Sequence, residues 1–237
     1  MSSHNATHHK PQHKTQHNQQ VILHYIHDPM CSWCWAFRPV WQALKLGLPD
    51  GIQVHNSLGG LAPDSNEPMS VALQKTLQAI WHKIQHSVPN TSFNFDFWHL
   101  NTPRRSTYPA CRAIIAARDL GAEMEEKMIF AIQNAYYQLA KNPSDDSTLL
   151  TLADQIGLDI SKFEARLNHP QTQQQLDREI AFNQRIHATS FPSLVLEVSD
   201  VFHSIPIDYC HAETMLKRIR EVLKTCVHQS ESKVNSS

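Results

Sequence analysis

The sequence predicts an α/β fold in which a sheet domain is interrupted, between its second and third strands, by a large all-helical insertion. Three observations carry that prediction. An apolar run, Val21 to His27, leads into a C-x-x-C, Cys31-Ser32-Trp33-Cys34, which opens an amphipathic stretch from Trp35 to Leu46. From Met69 to about His187 every periodic segment has helical spacing and none reads as a strand. Two β-prone runs then follow, Ser193 to Val198 and Val201 to Ile207, joined at Ser199-Asp200 as in an antiparallel hairpin. The expected organisation is a disordered His-rich tail over residues 1–20, a sheet domain made of 21–68 and 188–228, a helical insertion over 69–187, and a disordered tail over 229–237.

The elements follow in order. Met1 to Gln20 is polar, with His4, His8, His9, His13 and His17 scattered through it and nothing that can pack against a core. Val21 to His27 is apolar enough for a central strand. Asp28-Pro29 turns the chain, and an aspartate before proline reads as a turn residue in preference to one that tunes the thiols. Phe37, Val40, Trp41 and Leu44 share one helical face, so the cysteine pair falls in the first turn of a helix. Pro39 leaves the Trp35 carbonyl without its helical partner, which predicts a kink and not an end. Gly47 to Gly51 is a turn, and Ile52 to Leu58 is a second strand that exits through Gly59-Gly60. Strand, helix, strand in this order is the right-handed unit of a parallel pair.

Within the insertion, Leu73, Leu77, Ile80, Trp81 and Ile84 make one apolar face that stops at Val88-Pro89. An aromatic connector, Phe93 to Leu100, leads to a helix from about Thr107 to Leu120, stopped by Gly121. A helix carrying Met124, Met128, Ile132, Tyr136 and Leu139 ends at Asn142-Pro143. A short one runs from about Ser147 to Ile156, Ser161 to Glu164 reads as a capping box, and a polar helix from Pro170 toward His187 turns Leu176 and Ile180 inward. After the hairpin, Met215, Leu216, Ile219, Val222, Leu223 and Cys226 mark the apolar face of a last helix.

Composition narrows the function classes. Hydrophobic residues at 41% and a net charge of −1 fit an ordinary globule and give no basic surface to hold nucleic acid. No apolar run approaches a membrane span and the N-terminus lacks a secretory signal pattern, so the chain reads as cytoplasmic. Five cysteines without regular spacing are no disulfide scaffold. The close pair reads as catalytic, with Cys111, Cys210 and Cys226 as core residues in helical segments. A zinc site normally needs a second ligand pair, and no other C-x-x-C exists. His24 and His27 form an H-x-x-H, but on a strand the two rings point to opposite faces. His24 reads as a satisfied core histidine, with a proton-shuttle role as the weaker alternative.

The chemistry follows from placement. Unpaired N–H groups and the positive end of the helix dipole favour a thiolate in the first turn, and only the thiolate is a nucleophile. Cys31, nearer solvent, is expected to attack a disulfide, and Cys34, one turn deeper, to resolve the mixed disulfide.

The ordered elements and three motifs, Asp28-Pro29-Met30-Cys31-Ser32-Trp33-Cys34-Trp35, Leu58-Gly59-Gly60-Leu61 and Phe191-Pro192-Ser193-Leu194-Val195, resemble the thioredoxin fold of the DsbA-like family, in its FrnE-like cytosolic branch. The resemblance spans about residues 21–225. It implies a thiol–disulfide oxidoreductase in which Pro192 is a cis-proline facing the cysteines, Phe191 pairs with extended substrate, and Trp33 helps to bind it. Implied partners are protein or small-molecule dithiols and disulfides, with no nucleic acid and no membrane. No cofactor is implied beyond the Cys31–Cys34 disulfide itself, with glutathione compatible as a reductant. Three features depart from the pattern: Ala188-Thr189-Ser190-Phe191 lacks the usual glycine, the first strand has no carboxylate to sit near Cys34, and Cys210 and Cys226 do not reproduce FrnE's second cysteine pair. Two other readings are carried forward. Kappa-class glutathione transferases and hydroxychromene carboxylate isomerases are similar in fold but typically have serine in place of Cys31, and a non-enzymatic metal-binding protein would use the C-x-x-C with the His-rich tail.

Overall fold

The structure, a computed structural model, describes residues 20–234, with side chains through Cys226. The tail expected over 1–20 therefore lies, except for Gln20, outside the described residues. Strand β1 (Val21–His27), helix α1 (Ser32–Leu46) and strand β2 (Ile52–Leu58) open the chain. Strands β3 (Ser193–Val198) and β4 (Val201–Ile205) complete a sheet of order β2-β1-β3-β4. β1 runs parallel to β2 and antiparallel to β3, and β3 and β4 form the expected hairpin. Its two-residue turn places Ser199 and Asp200 both at positive φ, the twist that a tight hairpin requires.

Between β2 and β3 lie α2 (Val71–Ser87), α3 (Phe97–Leu100), α4 (Tyr108–Leu120), α5 (Ala122–Tyr137), α6 (Asp146–Gln155), α7 (Ile160–Leu167) and α8 (Pro170–Arg185); α9 (Ala212–Val234) closes the chain. The fold class expected from the sequence is thus the one observed: a mixed four-stranded thioredoxin-like sheet with a helical insertion between its second and third strands. No helix among the described residues is long and apolar enough to cross a membrane.

Local differences have physical causes. α1 continues through Pro39 to Leu46, as expected, its packed face, Phe37, Trp41 and Leu44, holding the helix across the missing bond. The aromatic connector contains the short helix α3, and α5 ends at Tyr137, five residues before Asn142. α7 is capped by Asp159, whose carboxylate accepts the Lys162 N–H, and not by Ser161; the aspartate is one helical turn before Lys162, where a cap belongs. α9 runs to Val234, beyond the expected boundary at 228. A single antiparallel bridge, Pro68 with Arg104, joins the segment before the insertion to it and is the only strand-like pairing outside the four strands among the described residues.

The apolar core falls into parts. One lies between the sheet and α1 with α9, from Leu23, Phe37, Trp41, Leu196, Met215 and Ile219. The insertion has its own, centred on Trp81, whose ring stacks on Phe93 at 4.9 Å and meets Tyr136 and Tyr137 edge-on. α4 is its axis. Ala110, Ala113, Ala116 and Ala117 are fully buried there, and side chains that small let neighbouring helices approach closely.

Candidate active site

Cys31 is the N-cap of α1, and its extended backbone (φ −83°, ψ 116°) turns the strand exit into the helix. It and Cys34 are both free thiols. Cys31 is 8% exposed and Cys34 is sealed, the order expected from one helical turn of depth. The Cys31 thiol is held below its usual value, chiefly because the Cys34 S–H donates to its sulfur, with the Cys34 and Trp33 backbone N–H groups adding. Burial and the Asp28 charge act against this shift. Burial and the Cys31 charge push the Cys34 thiol well up. One thiol of the pair is poised to ionise and the other to stay protonated.

The peptide bond Phe191–Pro192 is cis, as the resemblance implies. When protonated, the Cys31 thiol donates to the Phe191 carbonyl at 3.5 Å, so the turn before β3 lies directly against the cysteine. Gly59 makes this possible from the other side: a Cβ there would run into the Phe191 ring. Trp33 is half-buried and packs on Tyr209, ring centroids 5.0 Å apart. All five residues expected at the site, Cys31, Cys34, Trp33, Phe191 and Pro192, line or adjoin one place.

Asp28 corrects the sequence reading. It does form the turn: its carboxylate accepts the Met30 N–H at 2.8 Å and its carbonyl the Cys31 N–H at 3.0 Å. It is also completely buried and its charge opposes ionisation of both cysteines, so it does bear on the thiols; the first strand itself carries no carboxylate, as expected. Its second oxygen accepts the Leu61 N–H at 2.8 Å, the Thr107 hydroxyl at 2.7 Å and the Cys111 thiol at 3.6 Å. Burial raises its pKa in spite of these bonds. Asp28 thus ties the cysteine turn to the exit of β2 and to the start of α4. Its position was visible in the sequence, but nothing there pointed to Thr107 or Cys111 as its partners.

The other cysteines separate. Cys111 is buried, as expected. Cys226 is half-buried, with its sulfur 3.7 Å from the His203 ring. Cys210 is exposed, contrary to expectation, because its segment is a turn before α9, pinned by Asp208 accepting the Cys210 and His211 N–H groups. His24 is 4% exposed, with one ring nitrogen 2.6 Å from Glu197 and the other 3.1 Å from His55. Both ring nitrogens are thus partnered, as expected of a satisfied core histidine. His27 faces the opposite side, fully buried and stacked on Tyr25 at 4.8 Å.

Beside Cys31 a cavity of about 160 Å³ opens between the sheet domain and the insertion, bounded by Trp33, Leu61, Met69, Trp81 and Arg105 among others. A larger polar cleft of about 550 Å³ lies along α4 and α6, crossed by the Arg112–Asp64 and Arg104–Asp145 ion pairs.

Comparison with known proteins fits this architecture. The sequence model of the thioredoxin family matches residues 24–204. The ClpXP adapter protein SpxH of Bacillus subtilis is 28% identical over 143 residues, 60% of this chain and 46% of its own length. The chain thus spans about half the length of that curated relative. A structure from Nitrosomonas europaea, provisionally described as a protein disulfide isomerase, superposes with a TM-score of 0.75 at 25% identity, covering 89% of this chain and 98% of the other. The cytosolic disulfide reductase DsbM of Pseudomonas aeruginosa gives a TM-score of 0.68 at 22% identity, covering 86% and 99%, a likeness of fold; DsbM is also known with GSH.

Proposed function

Because the chain belongs to the thioredoxin family, we propose that it is a thiol–disulfide oxidoreductase that exchanges disulfides through Cys31 and Cys34. The observation that carries this reading is the asymmetry of the pair. Cys31 caps α1, keeps 8% of its surface against none for Cys34, and has its thiol held down by the Cys34 S–H, while Cys34 is pushed up. The Cys31 thiolate attacks one sulfur of a substrate disulfide, the substrate's other sulfur leaves as a thiolate, and a mixed disulfide forms. Cys34 gives up its proton and attacks the Cys31 sulfur. The substrate's second sulfur leaves, the substrate is reduced and the Cys31–Cys34 disulfide is formed; the reverse sequence oxidises a dithiol. Pro192 and Phe191 border the attacking sulfur, and Trp33 offers an apolar surface to the substrate. The reading places the protein in the FrnE-like, cytoplasmic branch, with glutathione as a reductant that would return the disulfide to the dithiol.

The test is trapping. Cys34→Ala should accumulate covalent partners under mild oxidation and Cys31→Ala should not, and alkylation by iodoacetamide should show Cys31 titrating below about 8.5. A second reading, favoured by the similarity to SpxH, is an adapter that binds a protein without redox turnover. It takes over if Cys34→Ala traps nothing and Cys31→Ala leaves partner binding intact.

A further inference from the structure

The geometry points to a substrate preference: the cavity beside Cys31 receives one apolar, side-chain-sized group of the disulfide under attack, and Arg105 at its edge binds a carboxylate on that group. This rests on the oxidoreductase reading and names the class of substrate that such a site selects.

The cavity wall is formed by Met69, Leu77, Ile80, Trp81 and Tyr136, with Cys31 itself at one side. A volume of about 160 Å³ is far below the roughly 300–1,000 Å³ of sites that enclose a whole drug-sized ligand. It suits an aromatic ring or a branched aliphatic group attached close to the sulfur. Only two charged side chains reach it, Arg104 and Arg105, and they differ. Arg104 is neutralised: it donates to the Asp145 carboxylate at 2.6 Å and to the Ser144 carbonyl at 2.6 Å. Arg105 is half-buried, yet no carboxylate among the described residues lies within ion-pair distance of it. A cation withdrawn from water beside an apolar wall is costly until an anion meets it, and a charge-assisted bond formed there is stronger than one on open surface. Tyr136, whose phenol burial pushes up, lines the same cavity and feels the Arg105 charge acting in the opposite sense. An anionic group held there lies in the same cavity as the attacking sulfur.

The step balances without a further reactant. The Cys31 thiolate attacks an aryl disulfide, one aryl thiolate leaves with the electron pair, and the aryl group left on Cys31 occupies the cavity. Cys34, losing its proton to solvent, then releases the second aryl thiolate as the Cys31–Cys34 disulfide forms.

The experiment uses the reduced full-length protein and two aromatic disulfides of similar size, dithiobis(nitrobenzoic acid), which is anionic, and dithiodipyridine, which is neutral. Single-turnover rate constants are measured for wild type, Arg105→Gln, Arg105→Lys and the surface control Lys75→Gln. Arg105→Gln should slow the anionic disulfide about tenfold, as loss of one charged hydrogen bond predicts, and leave the neutral one within about twofold. Arg105→Lys should recover most of the anionic rate, and Lys75→Gln should change neither. Equal slowing of both disulfides, or an equal loss in Lys75→Gln, would overturn the assignment, since either marks a general effect of structure or net charge. If wild type exchanges with neither disulfide, the oxidoreductase reading itself fails and the preference falls with it.

Discussion

The sheet face under α1 and α9 is packed by apolar side chains, whereas the face under α8 is held by carboxylates, amides and imidazoles. On the first face Leu23, Leu196 and Val198 meet Phe37, Trp41 and Ile219. On the second, the apolar contact shrinks to Ile26 and Val195 against Ile186 and Ala188, with Phe182 and Phe191 packed at the margin. Around it Glu179 accepts the Leu58 N–H at 2.8 Å, and Asn183 accepts the Ser57 hydroxyl at 2.7 Å and donates to the Leu58 carbonyl at 2.9 Å. Glu179 also pairs with Arg118 of α4 at 2.9 Å. The buried residues of α8 are Thr172, Leu176, Glu179 and Asn183, only one of which is apolar, with Ile180 and Phe182 partly buried beside them. Apolar packing is non-directional and tolerates substitution of similar volume, while buried hydrogen bonds fix one register and fail abruptly when one partner goes. The insertion is therefore registered on β2 by hydrogen bonds, and the helices that belong to the sheet domain are glued to it by area.

The sharpest way to break the comparison is to empty each face in turn. Phe37→Ala should cost about 3–5 kcal/mol through the cavity it leaves, read from urea denaturation. Glu179→Ala should follow at about 2–3 kcal/mol by stranding the Leu58 N–H, and Glu179→Gln, which keeps an acceptor for that N–H, should recover part of the loss. If Glu179→Ala costs no more than a surface change, the polar face does not register the insertion.

Two histidines on β1 sharpen the same contrast. His24 is partnered on both nitrogens, whereas His27, on the apolar side, has no hydrogen-bond partner and is pushed down to about 3, mainly by burial. Because its folded pKa lies below the usual 6.5, its neutral form stabilises the protein fully above that value. The contribution is lost as pH falls from 6.5 toward about 3, since the unfolded chain takes up the proton first. Between pH 7 and 5 this amounts to at most about 2 kcal/mol, and His27→Phe, which keeps the stack on Tyr25, should remove that share of the acid sensitivity. Equal pH dependence in both proteins would mean that His27 takes up a proton in the native state.

The smallest expected effect falls at Asp28, in the turn between β1 and α1. Its charge opposes ionisation of both cysteines, so Asp28→Asn should move the alkylation midpoint of Cys31 downward. An upward or absent shift would show that Asp28 is protonated, or that its bonds to Met30 and Leu61 matter more to the thiol than its charge does.

The sequence alone determined the parts whose signals are local. β1 lies where its apolar run puts it, because burial on both sides demands continuous apolar residues, and the edge strand β2 lies between the turn at Gly47–Gly51 and the Gly59-Gly60 exit that bound it. The cysteines fall in the first turn of α1 because the spacing of Phe37, Trp41 and Leu44 permits no other phase. The hairpin, the helical insertion and the cis-proline beside Cys31 were legible in the same way, from turn residues, period and resemblance. Tertiary structure alone decided which polar residues are inside. Glu179, Asn183 and Asp28 carry no mark of burial in sequence, since a charged or amide side chain is ordinarily exposed and goes inside only when distant groups supply its hydrogen bonds. Those groups, Leu58 and Arg118 for Glu179, Ser57 for Asn183, and Leu61, Thr107 and Cys111 for Asp28, lie from 33 to 126 positions away along the chain. A period reads only its own segment, so a bond closed across such distances becomes visible when the chain has folded and brought its two ends together.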